Sequence, residues 1–193
     1  MESVWAVLVL LCCYVVRTEA QIELNLGSTS SHSDIYRLLK QLGERVEKLE
    51  NKPEVAFSAS LVVKDGQNNL GPYDSDKDLV FDEVTVNIGG AYDPQTGNFT
   101  APAGGVYHFI FSCYAGTTKK VNVELLKNGV NIAAISETGN PEFSIYHGGS
   151  SGVTVELRKG DKVHVVLRNG SSIYVNSRIN MFSGHLLFPI TDQ

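Results

Sequence analysis

Cysteine is nearly absent. Three occur in 193 residues, and Cys12 and Cys13 lie in the first twenty, so a chain that loses this stretch keeps Cys113 alone. A lone thiol forms no internal disulfide, and such a chain must be held by its core, by association, or by both. Long apolar runs are missing as well. Val4 to Val16 is almost unbroken but falls short of the ~20 residues a helix needs to span a bilayer, and no later segment is continuously apolar. The net charge is only −5. Without Glu2, Arg17 and Glu19 it becomes about −4, from 19 acids against 15 bases. That balance leaves no electrostatic footprint for nucleic acid or an anionic membrane, and argues against both as partners. The five histidines, His32, His108, His147, His164 and His185, lack zinc-ligand spacing, so no metal is expected from them.

What is present begins with an export signal. The apolar run ends at Arg17-Thr18-Glu19-Ala20, where Thr18 and Ala20 supply the small residues signal peptidase accepts. The expectation is a signal peptide over 1–20 and a secreted, extracellular product starting at Gln21, although the n-region carries Glu2 and no Lys or Arg. Residues 21–34 are polar and rich in Ser and Gly, a flexible leader. Ile35, Leu39, Leu42, Val46 and Leu49 then recur at spacings of four and three, an apolar seam of period 3.5. Ser33 or Asp34 can cap this helix and Pro53 stops it, which gives a stalk over 35–52. Gly43 costs it roughly 1 kcal/mol. Two readings compete: an amphipathic helix packed on the neighbouring domain, and a self-associating coiled coil. The narrow seam favours the second, because docked helices carry a wider apolar stripe. Arg45-Val46-Glu47-Lys48-Leu49-Glu50 also resembles a short motif of trimeric coiled coils, in which Arg45 would bridge to Glu50 of the adjacent chain.

From Val55 the apolar period changes to two. Val55–Leu61, Leu79–Ile88, Gly105–Tyr114, Val121–Lys127, Val130–Ser136, Val153–Leu157, Val163–Leu167 and Phe182–Ile190 read as strands. Asn128-Gly129, Lys159-Gly160-Asp161 and Asn169-Gly170 supply turns. With no helical window after Asn51, residues 54–193 are expected to form an all-β antiparallel sandwich or jelly roll. Tyr107, Phe109, Phe111 and Cys113 fall on one strand face. The preferred reading of Cys113 is a buried thiol acting as a small hydrophobe, and the alternative is an intermolecular disulfide.

The stretch containing Phe81, Asn87, Tyr92, Phe99, Gly105, Tyr107, Phe109 and Phe111 resembles the C1q-domain signature without a gap. Ala56-Phe57-Ser58-Ala59, Lys159-Gly160-Asp161 and Phe182-Ser183-Gly184-His185-Leu186-Leu187-Phe188-Pro189 extend the resemblance over Val55 to Ile190. Phe81 to Gly89 and the final motif look especially like cerebellins. The signature is largely structural: its aromatics bury area, and Gly97 and Gly105 are read as permitting turns. The resemblance implies a ten-strand jelly roll similar to tumour necrosis factor, assembling as a homotrimer that binds extracellular protein or carbohydrate through its loops. The implied role is innate-immune recognition or intercellular signalling. The alternative is a structural or carrier subunit of a hetero-oligomer of C1q-like chains. Residues 21–53 hold only Gly27 and Gly43, so no collagen stalk can form. The N-terminal cysteines that join cerebellin trimers into hexamers are also missing, so a lone trimer is expected.

Other motifs weigh less. Gly148-Gly149-Ser150-Ser151-Gly152 fits a nucleophile-elbow pattern, but no helix is expected after it. A flexible loop is the better reading, and no enzyme is expected. Asn98-Phe99-Thr100 and Asn169-Gly170-Ser171 are glycosylation sequons at Asn98 and Asn169. Asp74, Asp76 and Asp78 alternate in a loop and offer hard oxygen ligands, so calcium is kept open as a cofactor, against the intruding Lys77 and the ordinary solvated acidic loop. Lys159-Gly160-Asp161 resembles an integrin-binding tripeptide but is better explained as a turn.

Overall fold

The seam of Ile35, Leu39, Leu42, Val46 and Leu49 does form a helix. In a computed structural model that describes residues 32–50, 52–62, 69–115, 120–138, 147–176 and 178–190, α1 spans His32–Glu50. The expected signal peptide and most of the leader lie outside these residues. The helix starts three residues before Ile35, so Ser33 and Asp34 sit within its first turn. There the Asp34 carboxylate faces the positive end of the helix dipole and pairs with Arg37 at 3.3 Å. The seam residues are all exposed. No described helix is long and apolar enough to cross a membrane. The chain divides between Lys52 and Pro53, and the elements described in the second unit are all strands.

Among the described residues thirteen strands, all paired antiparallel, follow. They are β1 (Ala56–Ser60), β2 (Asn69–Leu70), β3 (Lys77–Asp78), β4 (Glu83–Ile88), β5 (Tyr92–Asp93), β6 (Asn98–Thr100), β7 (Gly105–Ala115), β8 (Val121–Lys127), β9 (Val130–Glu137), β10 (His147–Leu157), β11 (Lys162–Leu167), β12 (Ile173–Tyr174) and β13 (Met181–Pro189). One sheet runs β10-β7-β13-β1-β4 and the other β5-β6-β11-β8-β9, with β3 beside β11 and a small β12-β2 pair. Strands distant in sequence lie side by side, as β1 does between β13 and β4. This is an antiparallel jelly-roll sandwich. The count exceeds the expected ten and includes β2, β3, β5 and β12, which have two residues each.

The core fills the space between the two sheets. Phe57, Phe99, Tyr107, Phe109, Phe111 and Phe182 are buried there with Val121, Val123, Leu125, Val163, Val165 and Leu167. The rings pack tightly: Phe57 stacks on Tyr92 at 4.7 Å and meets Phe182 edge-on at 4.8 Å, and Phe99 meets Phe109 edge-on at 5.1 Å. Such pairs add roughly 0.5–1.5 kcal/mol beyond area burial.

The structure departs from three expectations. Gly148 to Gly152 are not a loop but the first half of β10, each residue paired in register with β7, from Tyr114 through Cys113, Ser112 and Phe111 to Ile110. Glycine and serine weaken the local strand signal, and the eleven-residue ladder with β7 overrides it. The segment from Leu79 to Asp82 is not strand: β4 begins at Glu83, because the Phe81 N–H and C=O bond a tyrosine hydroxyl instead of a ladder. Gly105 is not a turn glycine either. It opens β7, where a Cβ would come within 2.6 Å of the Leu186 Cδ1 and 2.8 Å of the Phe188 carbonyl oxygen, so close packing explains it. Gly97, with φ of +75°, does hold a turn.

Candidate functional site

The signature residues form a scaffold. Tyr92, on β5, sends its hydroxyl across the core to the backbone of Phe81. The Asn87 side chain, on β4, bonds both backbone groups of Tyr92, donating to its carbonyl at 2.8 Å and accepting from its N–H at 3.2 Å. Burial pushes the Tyr92 phenol well above its ordinary value, with the backbone hydrogen bond at Phe81 opposing. Tyr107 donates to the Ala103 carbonyl at 2.8 Å. Phe99, Phe109 and Phe111 are fully buried and Gly105 anchors the strand between them. All eight residues act inside the domain, and none presents a ligand-binding group.

The two outer faces of the sandwich differ sharply. On the β5-β6-β11-β8-β9 sheet the outer side carries ion pairs around Val166 and Leu126. Arg168 reaches between Asp76 and Glu124 and pairs with both, and His164 lies 3.7 Å from Asp78. On the other sheet the outer side is apolar and small. Directly opposed residues share a face, so the register gives one row of Ile88, Ala56, His185, His108 and Thr154 and the next of Val86, Ser58, Ser183, Ile110 and Gly152. Val86, Ile88, Ile110, Met181 and Phe188 stand 37–55% exposed there. Val86 and Ile88 are apolar positions of the strand expected over Leu79–Ile88, and the register turns them outward. Contiguous exposed apolar side chains across a sheet mark an interaction surface.

Sequence reasoning passed over this face, although a signal existed. Phe109-Ile110-Phe111 and Leu186-Leu187-Phe188 are apolar on consecutive positions, the pattern of strands covered on both faces. Asn180 was missed too. It is fully buried, accepts from the Tyr114 N–H at 2.9 Å and donates to the Tyr174 carbonyl at 2.8 Å. Nothing in its sequence neighbourhood sets it apart.

The remaining candidates separate. Asp74, Asp76 and Asp78 do not converge as calcium ligands: Asp76 is held by Arg168 and by the Asn169 N–H at 2.9 Å, and Asp78 sits on β3. The Asn169 hydrogen bond, with Arg168 beside it, holds the Asp76 carboxyl below the usual range. Among the described residues no three His, Cys, Asp or Glu side chains form a metal cluster. Ser150 lies within β10 and no nucleophile elbow forms. The turn reading of Lys159-Gly160-Asp161 holds. Asp161 accepts from the Arg158 N–H and from the Asn128 side chain, each at 2.9 Å, and pairs with Lys127 at 3.1 Å. These contacts, the backbone one first, lower its carboxyl to about 2, and they leave it no freedom for a receptor. A polar cavity of about 340 Å³ opens beside it, lined by Lys127, Asn128, Glu156, Arg158 and Asp161. Asn169 is exposed at its turn, its amide donating to the Asp74 carbonyl at 3.0 Å, while Asn98 is half-buried on β6. Arg45 and Glu50 are exposed on α1 with the seam.

Comparison with known proteins settles the family. The C1q domain model matches residues 56–187. The chain belongs to the C1q-domain family. Complement C1q tumor necrosis factor-related protein 3 of Mus musculus is 33% identical over 139 residues, covering 70% of this chain and 52% of that protein, and its Homo sapiens counterpart gives the same figures. The chain thus spans about half the length of these curated relatives. In fold, the C1q domain here resembles the globular domain of zebrafish complement 1qA, at 22% identity and a TM-score of 0.53 over 71% of this chain and 99% of that one. It also resembles murine APRIL, at 11% identity and a TM-score of 0.55 over 69% and 99%. A third likeness is to the Eiger TNF of S. frugiperda, at 12% and 0.54 over 73% and 97%. C1q-domain proteins are recognition and signalling molecules, not enzymes, in keeping with a sandwich whose signature residues are all structural.

Proposed function

We propose that this chain is a secreted homotrimer that recognises extracellular protein or carbohydrate, in innate immunity or signalling between cells. The observation that carries the reading is the uncovered outer face of the β10-β7-β13-β1-β4 sheet. A sandwich that keeps one outer side ion-paired and the other apolar is built to bury the second, and serine, glycine and alanine between the large side chains let another copy approach closely. The family resemblance implies three copies. The seam of α1 fits that number: with Leu39 and Val46 at a and Leu42 and Leu49 at d, Arg45 falls at g and Glu50 at the following e, the spacing of an ion pair between parallel neighbours. Stalk and heads then hold each other at high effective concentration, and three copies of weak loop contacts add up to useful affinity.

In this reading residues 1–20 are removed on export, and Asn169 and Asn98 carry N-linked glycans. The Ser171 of the first sequon is fully buried in the fold, so Asn169 would be modified before the domain closes.

The test is expression in cultured cells with analytical ultracentrifugation of the medium fraction. The expected result is a processed, glycosylated chain sedimenting as a trimer, with Ile110→Arg yielding a folded monomer. A folded wild-type monomer at micromolar concentration overturns the assembly. Copurification of other C1q-like chains would favour a subunit of a hetero-oligomer instead.

A further inference from the structure

The apolar face carries one feature that neither packing nor solubility explains. His108 of β7 and His185 of β13 stand directly opposite each other, their ring centroids 5.8 Å apart. The His108 Nδ1 lies 3.0 Å from the Thr154 Oγ1 of β10, and its far edge runs beside the bare Gly152, whose Cβ position would be 3.6 Å from it. Two imidazoles thus occupy the middle of a five-strand row that ends at Ile88 on one side and Thr154 on the other.

We infer that His108 and His185 make assembly through this face sensitive to pH, the subunits joining at neutral pH and separating in mild acid. The inference rests on the reading of the face as a subunit interface. Neutral imidazoles can be covered at the cost of ordinary hydrogen bonds, whereas two charged ones need water or a carboxylate. The face offers little of the second. The register sets Ala56 beside His185 and Thr154 beside His108, with Ile88 beyond Ala56; Val106 and Ile110 flank His108 along β7, and Ser183 precedes His185 along β13. Glu156 of β10 is set by the register opposite Val106 and not beside either ring. Glu83, at the far end of β4, is taken by Arg178 at 2.9 Å, and Glu54 precedes Ala56 by two residues. Like charges about 6 Å apart would then add repulsion within each subunit and between copies.

The sign follows from linkage. Covering an imidazole disfavours its charged form, so separated subunits take up protons that assembled ones do not. Assembly is complete at neutral pH and is lost in mild acid, where the dissociation constant rises about tenfold per pH unit for each proton taken up on separation. Extracellular chains taken into acidified compartments cross this range.

The experiment is sedimentation velocity of the purified secreted chain at pH 7.5 and 5.5, with far-UV circular dichroism to confirm folding. Wild type is compared with H108Q/H185Q, with H185Q alone, and with I110R. The inference expects an oligomer at pH 7.5, assembly weakened by at least about tenfold in affinity at pH 5.5, and a double variant that stays assembled at both. H185Q keeps the His108–Thr154 contact and serves if the double variant fails to fold; it should lose part of the pH response. A wild-type oligomer unchanged at pH 5.5, or dissociation that persists unaltered in the histidine variants, overturns the inference and leaves the interface standing. A folded wild-type monomer at pH 7.5, or an I110R variant that still assembles, removes the interface itself.

Discussion

The Tyr92 hydroxyl closes a reciprocal pair with the backbone of Phe81, donating to its carbonyl at 2.9 Å and accepting from its N–H at 3.2 Å. One side chain thereby satisfies both main-chain groups of a fully buried residue that belongs to no strand. Asn87 does the same for the backbone of Tyr92, so three signature residues form a relay in which each bond fixes the next.

Removing the hydroxyl should be costly for that reason. Tyr92→Phe keeps the ring stacked on Phe57 but strands two buried backbone groups, and a destabilisation of about 1–3 kcal/mol is expected. Urea denaturation measures it. Asn87→Ala should cost a similar amount, and the double variant less than the sum, because the groups share one network. Additive effects would show that the relay does not act as a unit.

Gly184 supports the same aromatic cluster from β13. A Cβ there would come within 2.4 Å of the Phe109 Cδ1 and 2.8 Å of the Phe57 Cε1, and neither ring can yield without disturbing its neighbours. Gly184→Ala is expected to destabilise by ~1–3 kcal/mol through overpacking. Gly149→Ala is the control: it meets only the Ile135 Cγ2, at 3.8 Å, and should be near neutral. Thermal denaturation of the two variants would separate them.

How far these features could be read in the sequence depended on where each constraint lies. β8 and β11 announced themselves by the alternation at Val121-Asn122-Val123-Glu124-Leu125 and Val163-His164-Val165, and the turns at Asn128-Gly129 and Asn169-Gly170 by their chemistry. β10 did not: Gly148 to Ser151 have no strand preference of their own, and their conformation is imposed by β7 across the ladder. The signature aromatics were legible as core. The Tyr92–Phe81 bonds were not, since a hydrogen bond to a backbone eleven residues away leaves no periodic trace. The outer apolar face was written in Phe109-Ile110-Phe111, but only the register reveals that Ile110 lines up with Val86.

Asp161 ties two turns together, and its titration should be visible in stability. Its carboxyl falls from an ordinary value near 3.8 to about 2 in the fold. The unfolded chain therefore binds the proton more readily, and the stabilisation is complete above pH 3.8 and lost as the pH falls toward 2. Asp161→Asn should lower the melting temperature at pH 5–7, with the gap to wild type closing steadily below pH 4. A gap that stays constant down to pH 2 would show that the charge is immaterial and only the shape of the side chain matters. Lys127→Met should reproduce a smaller part of the loss, since the backbone bond from Arg158 contributes more to holding the carboxylate than the ion pair does.

Cys113 faces the core from β7 with no exposed surface, opposite Gly149, and burial raises its thiol well above the ordinary range. Both facts oppose thiolate formation, so in the folded domain the intermolecular disulfide gives way to the buried thiol. A thiol reagent added to the native protein should leave Cys113 unmodified, and the same reagent in strong denaturant should modify it fully. Reducing agent should leave the sedimentation coefficient unchanged. Cys113→Ala ought to cost little, since a small apolar group remains. Cys113→Ser is expected to cost more, roughly 1–3 kcal/mol, because it places a hydroxyl among Phe and Val side chains. If reducing agent split the assembly, or if Ser proved as well tolerated as Ala, the thiol would have to reach solvent and the packing of β7 against β10 would need revision.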